Sequence, residues 1–351
     1  LQNSNFTQQK EFFSLNALKC LRNEYLFNDC TLCFERCEHN ALGIFKEKIK
    51  LFDEQCTQCG ECIGICPTQA LSLETFDVNE FVFTFLQQEK NTIVHKIDIP
   101  TFGMLDAYNL ISIVLRAKKN IFLHYYEEDL ALDTLDYIDA VVCLSNEFLV
   151  KIGVEHSLFL KQKQADVQNT HRRGLFKTLI NTKKELQKEF TLTQKLNEHD
   201  KAMPVKQMLF KNSLKLVCED IRTQISTQNR LVFNKQIDFN ACTNCVECVT
   251  FCPTQALFQN ASKDAIYFQS GKCIGCDICE DVCKHGAIEQ NDDLDMIGYM
   301  FDKAQKLVEF EYITCKECNN SFIKKDDSGV CGFCKTFLQE HSNMFTLAKD
   351  V

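Results

Sequence analysis

Twenty of the 22 cysteines in this chain fall into spacings that suit metal ligation. Three runs share one pattern: Cys56-x2-Cys59-x2-Cys62-x3-Cys66, Cys242-x2-Cys245-x2-Cys248-x3-Cys252 and Cys273-x2-Cys276-x2-Cys279-x3-Cys283. Cys30-x2-Cys33-x3-Cys37 is a partial fourth, with Cys20 upstream. A cubane iron–sulfur core needs four thiolates around a compact body. Cysteines two residues apart let one short loop wrap three corners while backbone N–H groups point at the sulfides, and these hydrogen bonds help set the reduction potential. The chemistry this implies is one-electron transfer. Gly60, Gly64 and Gly275 suit the tight turns such loops require. The fourth cysteine of each run is expected to head a helix, with Pro67 and Pro253 at the first helical position, where a missing N–H costs nothing.

A different pattern lies near the C-terminus. Cys315-x2-Cys318-x12-Cys331-x2-Cys334 pairs two C-x2-C knuckles across a short polar stretch. This resembles a zinc ribbon, and the same four thiolates can hold a single iron. Cys143 and Cys218 remain, and both read as buried packing residues.

The chain repeats itself. Cys66-Pro67-Thr68-Gln69-Ala70-Leu71 recurs as Cys252-Pro253-Thr254-Gln255-Ala256-Leu257, and Cys37-Glu38-His39-Asn40-Ala41-Leu42 is echoed by Cys283-Lys284-His285-Gly286-Ala287-Ile288. On these residues, both modules resemble bacterial dicluster [4Fe–4S] ferredoxin domains, in which the fourth cysteine of each run ligates the neighbouring cluster. For the C-terminal module the resemblance implies one cluster on Cys242, Cys245, Cys248 and Cys283, and another on Cys273, Cys276, Cys279 and Cys252. For the N-terminal module it implies a cluster on Cys56, Cys59, Cys62 and Cys37. The partner site has Cys30, Cys33 and Cys66, but Phe27 stands where the first cysteine belongs. Cys20 is favoured as the fourth ligand; Asp29, a [3Fe–4S] centre, a labile site or no cluster are the alternatives. Four [4Fe–4S] clusters and one zinc, or a single iron, are therefore expected. His39 and His285 each follow a crossing cysteine by two residues, and read as polar first-turn residues or as charges that tune a cluster.

These sites need elements to hold them. The segment 86–165 reads as an α/β insert: strand-like from Thr92 to Ile99 and from Asn120 to Tyr126, helical from Met104 to Lys118, with a short buried-looking run over Tyr137–Leu144 in which Val141-Val142 is strand-like. It has no Gly-rich phosphate loop, which argues against a dinucleotide or flavin site. The expected fold class is α+β, with two ferredoxin-like dicluster modules (1–85 and 233–292) flanking the insert and a basic helical segment (166–232). A zinc-ribbon-like region (293–351) closes the chain.

Formal charge is −9 over 351 residues, and hydrophobic residues make up 45%, enough for ordinary cores. Four clusters and a zinc tetrathiolate would take the charge to roughly −19. This argues against nucleic acid and favours redox proteins with a basic docking face. Between Lys161 and Arg230 the balance reverses, with 15 Lys/Arg against 7 Asp/Glu. That stretch, which includes Lys183, Lys184 and Lys188, reads as a solvated helix face or as a docking surface. The polar start, Leu1 to Lys10, suggests no secretory signal, and no apolar run approaches the about 18 residues of a membrane helix. Reduced thiolates in the cytoplasm are expected. The opening Leu suggests a processed or incomplete chain.

No radical-forming C-x3-C-x2-C loop, nucleotide motif or nucleophile–base pair occurs, so an electron carrier rather than an enzyme is expected. The overall layout also resembles bacterial soluble iron–sulfur proteins associated with formate dehydrogenase, which implies a dehydrogenase among the partners. An assembly or maturation protein for a redox enzyme is the second reading.

Overall fold

The computed structural model describes residues 13–24, 28, 30–45, 48–52, 54–163, 203–228 and 230–341. Phe27, Asp29 and most of the basic segment, with Lys183, Lys184 and Lys188, lie outside them.

Four short strands begin five residues after a crossing cysteine: Leu42–Phe45, Leu71–Leu73, Leu257–Gln259 and Ile288–Gln290 follow Cys37, Cys66, Cys252 and Cys283. The link between cysteine and strand is a tight turn. Its third residue, Asn40, Gln69, Gln255 or Gly286, takes a left-handed backbone. The next residue is a buried alanine, and an apolar residue then opens the strand. This corrects one expectation. Cys66 ends the Glu61–Ile65 helix rather than heading one, and Pro67 and Pro253 each follow their cysteine into a turn. The fixed φ of proline suits an early turn position, and the strand leaves no room for a further helix.

In the N-terminal half, Phe13–Leu15 pairs antiparallel with Leu71–Leu73, and Leu42–Phe45 forms a hairpin with Lys48–Leu51. The C-terminal half repeats the scheme. Lys235–Ile237 pairs with Ile288–Gln290, and Leu257–Gln259 with Ala265–Phe268, which Gln305–Glu309 extends.

Between the halves, Thr92–Val94, Ile121–Tyr126 and Leu158–Lys163 form a parallel sheet in sequence order. The Ala107–Ala117 helix connects the first two strands. It opens on a reciprocal Asp106–Asn109 capping box and stops at left-handed Lys118. The first strand is shorter than Thr92–Ile99, because Lys96 has positive φ and turns the chain out of the sheet. The run Tyr137–Leu144 lies inside the Leu132–Ile152 helix, so the strand-like Val141-Val142 is helix. Buried Ile138, Val141, Val142, Ser145, Phe148, Leu149 and Ile152 recur at helical spacing, and left-handed Gly153 ends the element. Cys143 consequently faces solvent beside Glu147, not the core. Cys218 is half-buried and packs against the main core.

The Val205–Lys215 helix runs along Ala107–Ala117. Phe210 anchors it between Tyr108 (5.2 Å between ring centres), Phe148 (5.4 Å) and Tyr299 (6.3 Å). One apolar core thus joins Leu71 of the first half, Ile111 of the insert, Phe210 and Met300.

Candidate iron–sulfur and metal centres

Each crossing cysteine receives a backbone hydrogen bond from the alanine four residues on. Ala41 N–H donates to Cys37 Sγ at 3.3 Å and Ala70 N–H to Cys66 Sγ at 3.3 Å. Ala256 N–H donates to Cys252 Sγ and Ala287 N–H to Cys283 Sγ, both at 3.2 Å. An N–H aimed at a sulfur stabilises thiolate and helps set the potential of whatever metal that sulfur holds.

The cysteines gather in fours. Cys20, Cys30, Cys33 and Cys66 line one hollow together with Leu21, Ile49 and Ala70. Burial pushes the Cys33 thiol up to about 12, and charge on Cys66, Cys30 and Cys20 adds to the effect. Cys62 is driven well above the ordinary thiol range, first by burial and then by Cys59, Cys33, Cys56 and Cys37. Cys37, Cys56 and Cys59 thus lie near Cys62, and so does Cys33 of the first group. Cys242, Cys245, Cys248 and Cys283 line a third hollow, with His285 at its wall. In the fourth group, burial lifts Cys273 and Cys276 to about 12, with Cys252 adding its charge to both. Burial also raises Cys279, again with charge from Cys273 and Cys252. Buried thiols that repel one another as thiolates cannot all ionise unless a cation holds them. That donor set fits iron–sulfur clusters.

The C-terminal group is of another size. The sulfurs of Cys315, Cys318, Cys331 and Cys334 lie within 4.8 Å of one another, with Cys318 and Cys331 at 3.8 Å. Four Zn–S bonds of about 2.3 Å in a tetrahedron put the sulfurs about 3.8 Å apart. Among the described residues only this group closes to the size of one ion. Cys331 N–H donates to Cys315 Sγ at 3.3 Å and helps draw that thiol down to about 6. The knuckles sit on a Tyr312–Thr314/Ser321–Ile323 hairpin and on the Gly332–Glu340 helix.

Charged groups hold these loops from behind. Lys235 is buried, with its ammonium 2.9 Å from Asp277 Oδ1 and paired with Glu280. Burial works against its charge, yet Cys279 and the two carboxylates keep it protonated. Lys206, also buried, donates to the carbonyl oxygens of Cys66 and Gly64. Buried Glu61 joins Arg36 at 2.6 Å to Thr134 Oγ1 at 2.9 Å, fastening the Cys37 and Cys62 loops to the insert. Gly64 is not a turn residue. It lies inside a helix, and a Cβ there would meet Gly103 O and Tyr137 Oη at 2.4 Å. Left-handed Gly275 packs under Phe233 as tightly. Sequence reasoning missed Lys206, Lys235, Arg36 and Glu61, whose partners are distant in the chain.

Two family models match: a 4Fe–4S dicluster domain over residues 241–287 and a 4Fe–4S binding domain over residues 49–72. An uncharacterized ferredoxin of Methanocaldococcus jannaschii is 34% identical over 55 residues, 87% of its own length and 15% of this chain. The chain belongs to the 4Fe–4S ferredoxins. This ferredoxin is much longer than that relative, and the insert and the C-terminal cysteine group lie outside the matched domains. Its iron–sulfur domains mark it as an electron-transfer protein with redox partners, consistent with a carrier rather than an enzyme. Among its described residues no helix is long and apolar enough to cross a membrane.

Proposed function

We propose that this ferredoxin is a polyferredoxin or the electron-transfer subunit of a cytoplasmic oxidoreductase, with formate dehydrogenase as a candidate partner. Four [4Fe–4S] sites are assigned: Cys20, Cys30, Cys33 and Cys66; Cys37, Cys56, Cys59 and Cys62; Cys252, Cys273, Cys276 and Cys279; and Cys242, Cys245, Cys248 and Cys283. Zinc is assigned to Cys315, Cys318, Cys331 and Cys334. The two cysteine halves, 1–85 and 233–292, act as dicluster modules around the 86–165 insert. Bound clusters supply one-electron couples at each site.

The observation that carries this reading is the fourfold repeat of one device, a crossing cysteine whose sulfur accepts the N–H of a buried alanine four residues on. Zinc at the last group is supported by its single-ion size. Anaerobic reconstitution followed by metal and sulfide analysis is the test. About sixteen iron, as many sulfide and one zinc per chain are expected. A plateau at half that iron would show that the N-terminal half does not hold two clusters.

A further inference from the structure

Asn28 stands between the two cysteine halves. Its Oδ1 accepts the N–H of Cys30 at 3.1 Å, and its Nδ2 donates to the carbonyl oxygen of Cys276 at 3.3 Å. A single side-chain amide therefore bridges the backbones of two cysteines that belong to different groups. Asn28 and Cys276 are 248 residues apart in sequence. The amide is buried, where a polar group left unpaired is costly, and both of its ends are used.

The surroundings are apolar. Leu21 from the first half packs with Ile274, Ile278 and Val282 from the second, and Cys30 and Cys276 lie against this small cluster. All four aliphatic side chains are buried. Two carriers tethered by a linker would meet across water; these halves meet across a dry seam.

We infer that Asn28 and the Leu21–Ile274–Ile278–Val282 seam form an electron-exchange junction, which sets the Cys20–Cys30–Cys33–Cys66 group against the Cys252–Cys273–Cys276–Cys279 group. The inference rests on the iron–sulfur reading of both groups. It places the four groups in one series. The Cys37 group lies behind the first, because the Leu32–Glu35 helix that carries Cys33 packs on the Glu61–Ile65 helix that carries Cys62, and the Cys242 group lies behind the last, because Cys242 and Cys248 share one packed cluster with Cys252 and Cys279. The far end opens to solvent at Cys245. Exchange across the junction is one electron lost on one side and gained on the other. No bond forms or breaks, and Asn28 keeps its protons. The electrons come from a low-potential one-electron reductant, dithionite in the test.

The test uses the full chain, reconstituted anaerobically, reduced and examined by electron paramagnetic resonance alongside iron and sulfide analysis. Removing Cys30 and Cys33 together (Cys30→Ala, Cys33→Ala) should narrow the signal of the C-terminal half and slow its spin relaxation. Asn28→Leu should retain wild-type iron and sulfide and lose part of the magnetic interaction between the halves. A C-terminal signal identical with and without the first group overturns the junction, as does Asn28→Leu with wild-type relaxation at full iron content. Wild-type protein without iron in either group overturns the iron–sulfur reading itself, an outcome that metal analysis separates from lost coupling.

Discussion

The Lys206 ammonium lies 2.6 Å from the carbonyl oxygen of Cys66 and 2.6 Å from Asp106 Oδ2. Lys206 belongs to the Val205–Lys215 helix, and Asp106 caps the Ala107–Ala117 helix. One buried cation thus joins a crossing cysteine to the insert through two helices. The basic segment contributes here as internal structure: Lys206 and Lys211 are both buried, and Lys211 pairs with Asp302 at 2.7 Å.

Lys206→Met should act in two ways. It leaves the Asp106 carboxylate without its cation, and breaking a buried pair costs about 3–5 kcal/mol. It also takes positive charge from beside Cys66. Reduction adds an electron, so the potential of that site should fall. Denaturation midpoints and a spectroelectrochemical titration separate the effects. Lys206→Met with Asp106→Asn should recover much of the stability, since Asn still caps the helix, but not the potential. A wild-type potential in both variants would remove Lys206 from tuning.

Cys20 is the irregular member of its group. It is buried in the same hollow as Cys30, Cys33 and Cys66, although no regular run contains it. Cys20→Ala should lose one cluster or convert it to a [3Fe–4S] centre with its own resonance signal. Phe27→Ala should leave the iron count unchanged. Wild-type iron and spectra in Cys20→Ala would strike Cys20 from the ligands.

What could be read from the sequence follows from distance along the chain. The cysteine spacings, the repeat ending in Ala70-Leu71 and Ala256-Leu257, and the helix from Ala107 are local patterns. The strand-like Val141-Val142 misled because β-branched pairs suit either element; the apolar spacing from Ile138 to Ile152 decides for helix. Asn28, Lys206 and Lys235 leave no local pattern at all. Their meaning lies in Cys276, Cys66 and Glu280, 248, 140 and 45 residues away.

The C-terminal group should behave as a separate single-ion site. Cys318→Ser removes one thiolate and should lower zinc without changing iron or sulfide. Metal analysis of the purified variant reads both. Parallel loss of iron would mean that the group supports the clusters rather than standing alone.

His95 gives the pH dependence. It is buried, its ring packs edge-on to Phe102 at 5.0 Å between ring centres, and its Nδ1 has no hydrogen-bond partner among the described residues. Burial, aided by the charge of Lys96, pushes its pKa down to about 4. The folded state therefore keeps His95 neutral where the unfolded chain, at an ordinary histidine value near 6.5, takes up a proton. Stability from this site is full above that value and declines as pH falls through 6.5 toward 4. Between pH 7.5 and pH 5 the loss should be about 2 kcal/mol. His95→Phe removes the titrating group while filling the same apolar space. Its thermal midpoint should fall less than that of the wild type on acidification, and acid loss of clusters, common to both proteins, cancels in the difference. Parallel pH profiles for the two proteins would show that His95 is not the group whose protonation opposes folding.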